Sequence, residues 1–269
     1  MNQSNPTRRA FLAGSLALAA GGPAGVPAFA PAYAGERTAH TRPDRPFSAP
    51  AADLALVLAV DCSRSIDADE YRLQAQGYAA AFRHERVRRA VLGGSGAGRI
   101  AVALTQWGGQ FVQTQAIGWT LLDTAAALDA FAQRLEAQPR LVDDDATAIG
   151  AAIDHAVQTL AQCPFEATRR TIDVSGDGRN NHGRPARDAR DAAVAKGITI
   201  NGLPILSGNE NFGRPAEDGL EEHYREEVIG GPGAFVIPAE SFANFTSAIL
   251  SKLVREIAGT LPQLASPVP

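Results

Sequence analysis

One stretch limits the folds open to this 269-residue chain more than any other. An unbroken apolar run, Leu54–Val60, ends on Asp61, and Ser63 and Ser65 follow it. A run of that length with no polar alternation is a strand buried on both faces, as in the middle of a parallel sheet. The Asp61, Ser63 and Ser65 positions then fall on the loop at the strand's carboxyl end. Open α/β sheets place their ligand sites there. Alternate residues of a tight turn can aim their oxygens at one point. A carboxylate and two hydroxyls form a hard-oxygen cluster that suits Mg²⁺, which takes few protein oxygens and keeps several waters. The same residue types also suit a helix N-cap, where Asp or Ser accepts free backbone N–H groups without any metal.

Strand and helix patterns alternate beyond this loop. Asp67 opens a helix with acids in its first turn, and Tyr71, Ala75, Tyr78 and Phe82 recur on one of its faces. Arg99–Trp107 reads as a strand, and Gln110–Gln115 as its hairpin partner after Gly108 and Gly109. Leu121–Leu135 is helical. Ile149, Ile153, Val157 and Leu160 mark the face of another helix. Short strands follow at Thr171–Val174, Ile198–Ile205 and Ala234–Ile237. Helices are expected over Arg184–Lys196 and, as a short helix or turn, Glu217–Val228, and a last one is striped by Phe242, Phe245, Ile249, Leu253 and Ile257. The expected fold is α/β: a doubly wound, mostly parallel six-stranded sheet of Rossmann-like type. It has one antiparallel edge strand and helices on both faces.

Two further loops carry oxygen ligands in the right order. Thr147 opens a helical pattern, and Asp177 follows an apolar strand in an Asp-Gly pair with Gly178. Together with Asp61, Ser63 and Ser65 they resemble the metal-ion-dependent adhesion site of von Willebrand factor A-type domains. The resemblance spans Leu54 to Ile257. The phrases Ile172–Asn181, Gly197–Pro204 and Val228–Phe235 look closer still to an exported bacterial subfamily, domain-of-unknown-function family 1194. The resemblance implies a divalent ion, Mg²⁺ or else Mn²⁺ or Ca²⁺, held by Asp61, Ser63, Ser65, Thr147 and Asp177. It also implies a protein partner that offers a carboxylate to complete the coordination shell. Gly176 stands where many relatives have threonine, which leaves the approach of Asp177 open. Read singly, Thr147 is equally a helix cap, with Asp145 the better one, and Asp177 is equally a turn residue.

Other polar residues have plainer readings. Asp143 and Asp144 are taken as solvated loop acids. Asp173, inside a strand, is expected to hydrogen-bond a neighbouring loop, because a lone buried charge is costly. Asn180 and Asn181 could position the Asp177 loop, and Trp107 and Trp119 are read as core.

Composition excludes several classes. The formal charge is −4, and losing a leader that carries Arg8 and Arg9 and no acid takes it to −6. No basic run interleaves with aromatics, so nucleic acid is not an expected partner. The five histidines form no zinc-binding spacing, and no serine-nucleophile elbow follows a strand. A hydrolytic metal site needs a base beside the metal-bound water, and the cluster offers only acids and hydroxyls. The reading is therefore a non-enzymatic binding module. A metal-dependent hydrolase using Asp177 or Asp143 as base, and a structural domain with a vestigial cluster, are the alternatives. Cys62 and Cys163 fall at opposite edges of the expected sheet, beyond disulfide reach, so two free thiols are expected.

Thr7–Leu12 matches the twin-arginine export pattern, and an apolar stretch too short to span a membrane follows. Cleavage after Ala34 is expected, with no membrane insertion afterwards and a periplasmic or secreted location. The expected organisation is a signal peptide over 1–34, a flexible linker over 35–52, an A-type domain over 53–259 and a disordered tail over 260–269.

Overall fold

The computed structural model describes residues 50–94, 96–206 and 217–259. The leader, most of the linker and the tail lie outside the described residues. Strand β1, Ala51–Asp61, is the middle of a five-stranded sheet. The other strands are β2 (Ile100–Trp107), β3 (Gln113–Leu122), β4 (Glu166–Gly176) and β5 (Thr199–Pro204), in the order β3-β2-β1-β4-β5. β1 pairs in parallel with β2 and β4, and β4 in parallel with β5. Only β3 is antiparallel, on the β2 edge.

Helices cover both faces because β1 buries both sets of alternating side chains. Leu54, Leu56, Leu58 and Val60 meet α1 (Ala68–Arg83), α2 (Glu85–Leu92), α3 (Ala125–Ala137) and α7 (Phe245–Ala258). Ala55, Val57 and Ala59 meet α4 (Ile149–Ala161), α5 (Ala186–Val194) and the short α6 (Leu220–His223). α6 runs on into a π-helical turn, Tyr224–Val228. α1 starts with a full capping box. Asp67 Oδ1 accepts the N–H groups of Asp69 and Glu70, and Glu70 Oε2 accepts that of Asp67.

The chain leaves β1 toward β2 on one side and later returns to β4 on the other. The carboxyl ends of β1 and β4 therefore flank the point where the winding reverses, the crevice such sheets use for ligands. The Asp61 loop sits at that point.

Four boundaries differ from the sequence expectation. The sheet has five strands rather than six. Phe235–Ala239 does lie along β5, through Gly202 N–H to Phe235 O (3.1 Å) and Ala239 N–H to Pro204 O (2.9 Å). Pro204 and Pro238 have no N–H, however, and the pairing is reduced to isolated bridges. β3 is later and longer than the expected hairpin arm and takes over the start of the expected helix. As an edge strand it is polar and half exposed, so its pattern is weak, while Thr124 sets the start of α3 by capping Ala127 N–H. β4 extends well before Thr171, because its first residues pair with the start of β1. β1 itself begins inside the expected linker, at Ala51, ahead of Asp53. The Asp53 carboxylate accepts the N–H groups of Ala97, Gly98 and Arg99.

Trp107 is fully buried, and Trp119 donates its indole N–H to Thr159 O, so both tryptophans pack as core. Cys62 and Cys163 are unpaired.

Candidate metal centre

The loop after β1 is held in shape by its own first residue. Asp61 Oδ1 accepts the N–H of Ser63 at 2.7 Å, a tight turn that points the side chains of Ser63 and Ser65 the same way. Their hydroxyl oxygens are 2.9 Å apart. Ser65 Oγ in turn donates to Asp177 Oδ1 at 2.7 Å, so the loops after β1 and β4 meet through side chains. The third loop arrives through its backbone. Arg64 N–H donates to Asp144 O at 2.7 Å, and Ala148 N–H to Gly108 O at 2.9 Å.

Thr147 is nearly buried, and its Oγ1 lies 3.4 Å from the point a Cβ on Gly178 would occupy, beside Asp177. Its hydroxyl does not cap α4, whose N-cap residue, Ala148, makes no side-chain cap bond. Asn180 Oδ1 instead accepts Gly150 N–H at 3.0 Å. Asn181 pairs with Thr147 through both backbone and side chain, at 2.9 Å each. Those two asparagines thus fix Thr147 and the start of α4. Asp145 is no cap either. It is exposed and pairs with Arg64, as does Asp143, so both are solvated loop acids; Asp144 Oδ1 accepts Ala146 N–H.

Two carboxylates meet at this pole. Asp61 is fully buried, and its Oδ2 has no hydrogen-bond partner. Burial, and then the Asp177 carboxylate, push the Asp61 carboxyl up to about 8. Two neighbouring acids, one of them buried, repel, a conflict that a divalent ion between them would remove. The donors at this pole are two carboxylates and three hydroxyls. No group of three or more His, Cys, Asp or Glu gathers among the described residues. Oxygen-only donors with few charges fit Mg²⁺, Mn²⁺ or Ca²⁺ better than the nitrogen and sulfur sets zinc favours.

Residues 51–261 match the family described as Protein of unknown function (DUF1194). The chain belongs to the DUF1194 family. No curated protein matches it. Among solved structures, proximal thread matrix protein 1 from the mussel byssus aligns at a TM-score of 0.54 and 15% identity, covering 78% of this chain and 47% of that one. A further structure of it, titled as having a zinc-occupied MIDAS motif, aligns at 0.53 and 16% over 76% and 45%. The pilus adhesin SpaC from Lactobacillus rhamnosus GG aligns at 0.52 and 13% over 77% and 31%. This DUF1194 chain therefore spans less than half the length of each of these neighbours. At such identities the likeness is one of fold, an open and mostly parallel α/β sheet with helices on both faces.

Two residues of the DUF1194 chain matter to this pole and escaped the sequence reading. Arg140 wraps the Asp61 loop from outside, donating to the carbonyls of Cys62 (2.7 Å), Ser63 (3.0 Å) and Ile66 (2.8 Å). In the sequence it is only the first residue of an acidic loop. Tyr224, on the π-helical turn, is fully buried beneath the site. Nothing local in the sequence signals either role. Asp173 is answered by α7 rather than by a loop. Lys252 Nζ lies 2.5 Å from Asp173 Oδ1 and 2.6 Å from Glu256 Oε1, with all three residues buried.

Proposed function

We propose that this protein is an exported, non-enzymatic binding module whose contact with a protein partner depends on a divalent cation. Asp61, Ser63, Ser65, Thr147 and Asp177 would hold the ion, Mg²⁺ or else Mn²⁺ or Ca²⁺. The bound ion would supply an electrophilic centre that an acidic side chain of the partner can complete. One observation carries the reading: the buried, unpartnered Asp61 Oδ2 in a loop whose Ser65 hydroxyl reaches Asp177.

The chain's own residues organise the site. Asp61 shapes the loop through Ser63 N–H, Arg140 fastens its carbonyls, and Asn181 fixes Thr147. The hydroxyls keep the ligand set low in negative charge, so the ion keeps affinity for one more anionic oxygen. His223 Nε2 accepts the N–H of Asn180 at 3.3 Å, which ties the Asp177 loop to α6. Export rests on the Thr7–Leu12 motif, and a periplasmic or secreted location follows from it. The pilus adhesin among the fold neighbours is compatible with a surface role.

Calorimetry with Mg²⁺ on the purified chain and on Asp61→Ala tests the site. The variant is expected to lose the binding heat while keeping its fold. Mg²⁺ affinity in Asp61→Ala equal to that of the parent would end the proposal. Chelator-sensitive capture of a partner from envelope extract, lost in Asp61→Ala, tests the second half.

A further inference from the structure

Two buried oxygens near the reversal point of the sheet lack partners, and both lie beside Gly176. One is Asp61 Oδ2 and the other is the Tyr224 hydroxyl. The point a Cβ on Gly176 would occupy lies 2.7 Å from the first and 3.0 Å from the second. The two oxygens are therefore no farther apart than two hydrogen-bond lengths laid end to end.

The sequence clears a path for this ring. Gly176 ends β4 and Gly202 lies in β5, on the face that α4, α5 and α6 cover. A Cβ on Gly202 would fall 2.7 Å from Tyr224 Cδ1. Any larger residue at either position would collide with the ring, its hydroxyl or Asp61. Tyr224 is delivered by the π-helical turn, an element often found at functional sites.

We infer that Tyr224 is a positioning residue of the metal centre, its O–H reaching Asp61 Oδ2 through one bridging water. This rests on the metal-binding reading of the Asp61 cluster. A buried hydroxyl with no acceptor is disfavoured, and so is a buried carboxylate oxygen with no donor. Pairing them answers both. Asp61 Oδ1 is already fixed by Ser63 N–H, so a donor on Oδ2 locks the plane of the carboxylate. Burial first, then Asp61 and Asp177, push the phenol well above its ordinary range, so it stays a neutral donor. Hydrogen bonds of this kind orient metal-binding carboxylates, and their loss typically lowers metal affinity roughly ten- to a hundredfold.

The test is Tyr224→Phe, compared with the parent and Asp61→Ala by Mg²⁺ calorimetry and by thermal melting without metal. The positioning role predicts Mg²⁺ affinity reduced roughly tenfold or more, with a metal-free melting temperature only slightly below the parent's, as the loss of one buried hydrogen bond implies. A merely packed tyrosine predicts unchanged affinity, and that result overturns the inference. A metal-free melting temperature well below the parent's also overturns it, because the hydroxyl would then be serving the fold. If Tyr224→Phe binds normally while Asp61→Ala does not, the inference alone fails. If the parent itself takes up no Mg²⁺, the metal reading fails and this inference falls with it.

Discussion

Ser65 Oγ donates to Asp177 Oδ1 at 2.7 Å, joining residues 112 apart in sequence. The same oxygen lies 2.9 Å from Ser63 Oγ, so one hydroxyl ties the loop after β1 to the loop after β4. Ser65→Ala removes that tie while leaving the Asp61 turn intact. A neutral-to-charged hydrogen bond of this type contributes about 1.5–3 kcal/mol. Part of that is returned by relaxation at a half-buried position. The variant should melt only slightly below the parent without metal. The upward shift of the melting temperature on adding Mg²⁺ should shrink markedly, because that shift scales with affinity for the folded state. Melting curves with and without Mg²⁺ read both effects, and an undiminished shift would count Ser65 out as a ligand.

Arg140 offers a prediction about loop order. Its guanidinium donates to three carbonyls of the Cys62–Ile66 segment and to Val142 O. Arg140→Met keeps most of the aliphatic stem and deletes every donor. The loss should destabilise the fold by about 2–4 kcal/mol, since bonds to a charged donor are each worth more than neutral ones but do not add fully. Hydrogen exchange at Ser63 and Ile66, whose N–H groups close the turn, should accelerate more than exchange in β2. Mg²⁺ affinity should fall too, because the loop would have to be ordered on binding. Equal protection of the Ser63 and Ile66 amides in variant and parent would show that the clamp is not needed.

What the sequence discloses depends on how local the cause is. Leu54–Val60 and the Asp61, Ser63 and Ser65 spacing are local patterns, and strand and turn follow from them directly. Thr147 and Asp177 stand out only against a family pattern, since each alone suits a cap or a turn. Arg140 and Tyr224 act on β1 across long stretches of chain, and no short window shows a guanidinium meeting carbonyls 74 and 78 residues away. The expected sixth strand fails for a different reason. Phe235–Ile237 is apolar enough for a strand, but Pro204 and Pro238 remove the N–H groups a ladder needs. Asp173 is expected to bond a neighbouring loop, whereas its partner, Lys252, sits on the last helix, far along the chain.

That partner gives a prediction about pH. Lys252 Nζ lies between Asp173 and Glu256, and Asn201 Nδ2 donates to Glu256 Oε1 at 2.8 Å. Two carboxylates thus share one ammonium where water does not reach. The other groups facing them add no compensating bond to the carboxylates. Tyr78, on α1, donates to Ser175, and the Arg169 guanidinium donates to the backbone carbonyls of Glu256 and Ile257. Burial raises Asp173 from 3.8 to about 7, opposed by Lys252 and aided by Glu256. A carboxyl with a raised folded-state pKa holds its proton more tightly in the native state than in the unfolded chain. As pH rises from about 4 to about 7 the unfolded state releases that proton first, so this group's contribution to stability falls across the window and levels off above it. Asp173→Asn leaves Lys252 and Glu256 as a neutral pair and removes the titration. Urea melts at pH 4.5 and 7.5 should therefore show Asp173→Asn gaining on the parent at the higher pH. Lys252→Met, which strands two acids in the core, should cost about 3–5 kcal/mol near neutral pH. A stability difference between Asp173→Asn and the parent that stays constant with pH would mean the triad holds no titrating proton.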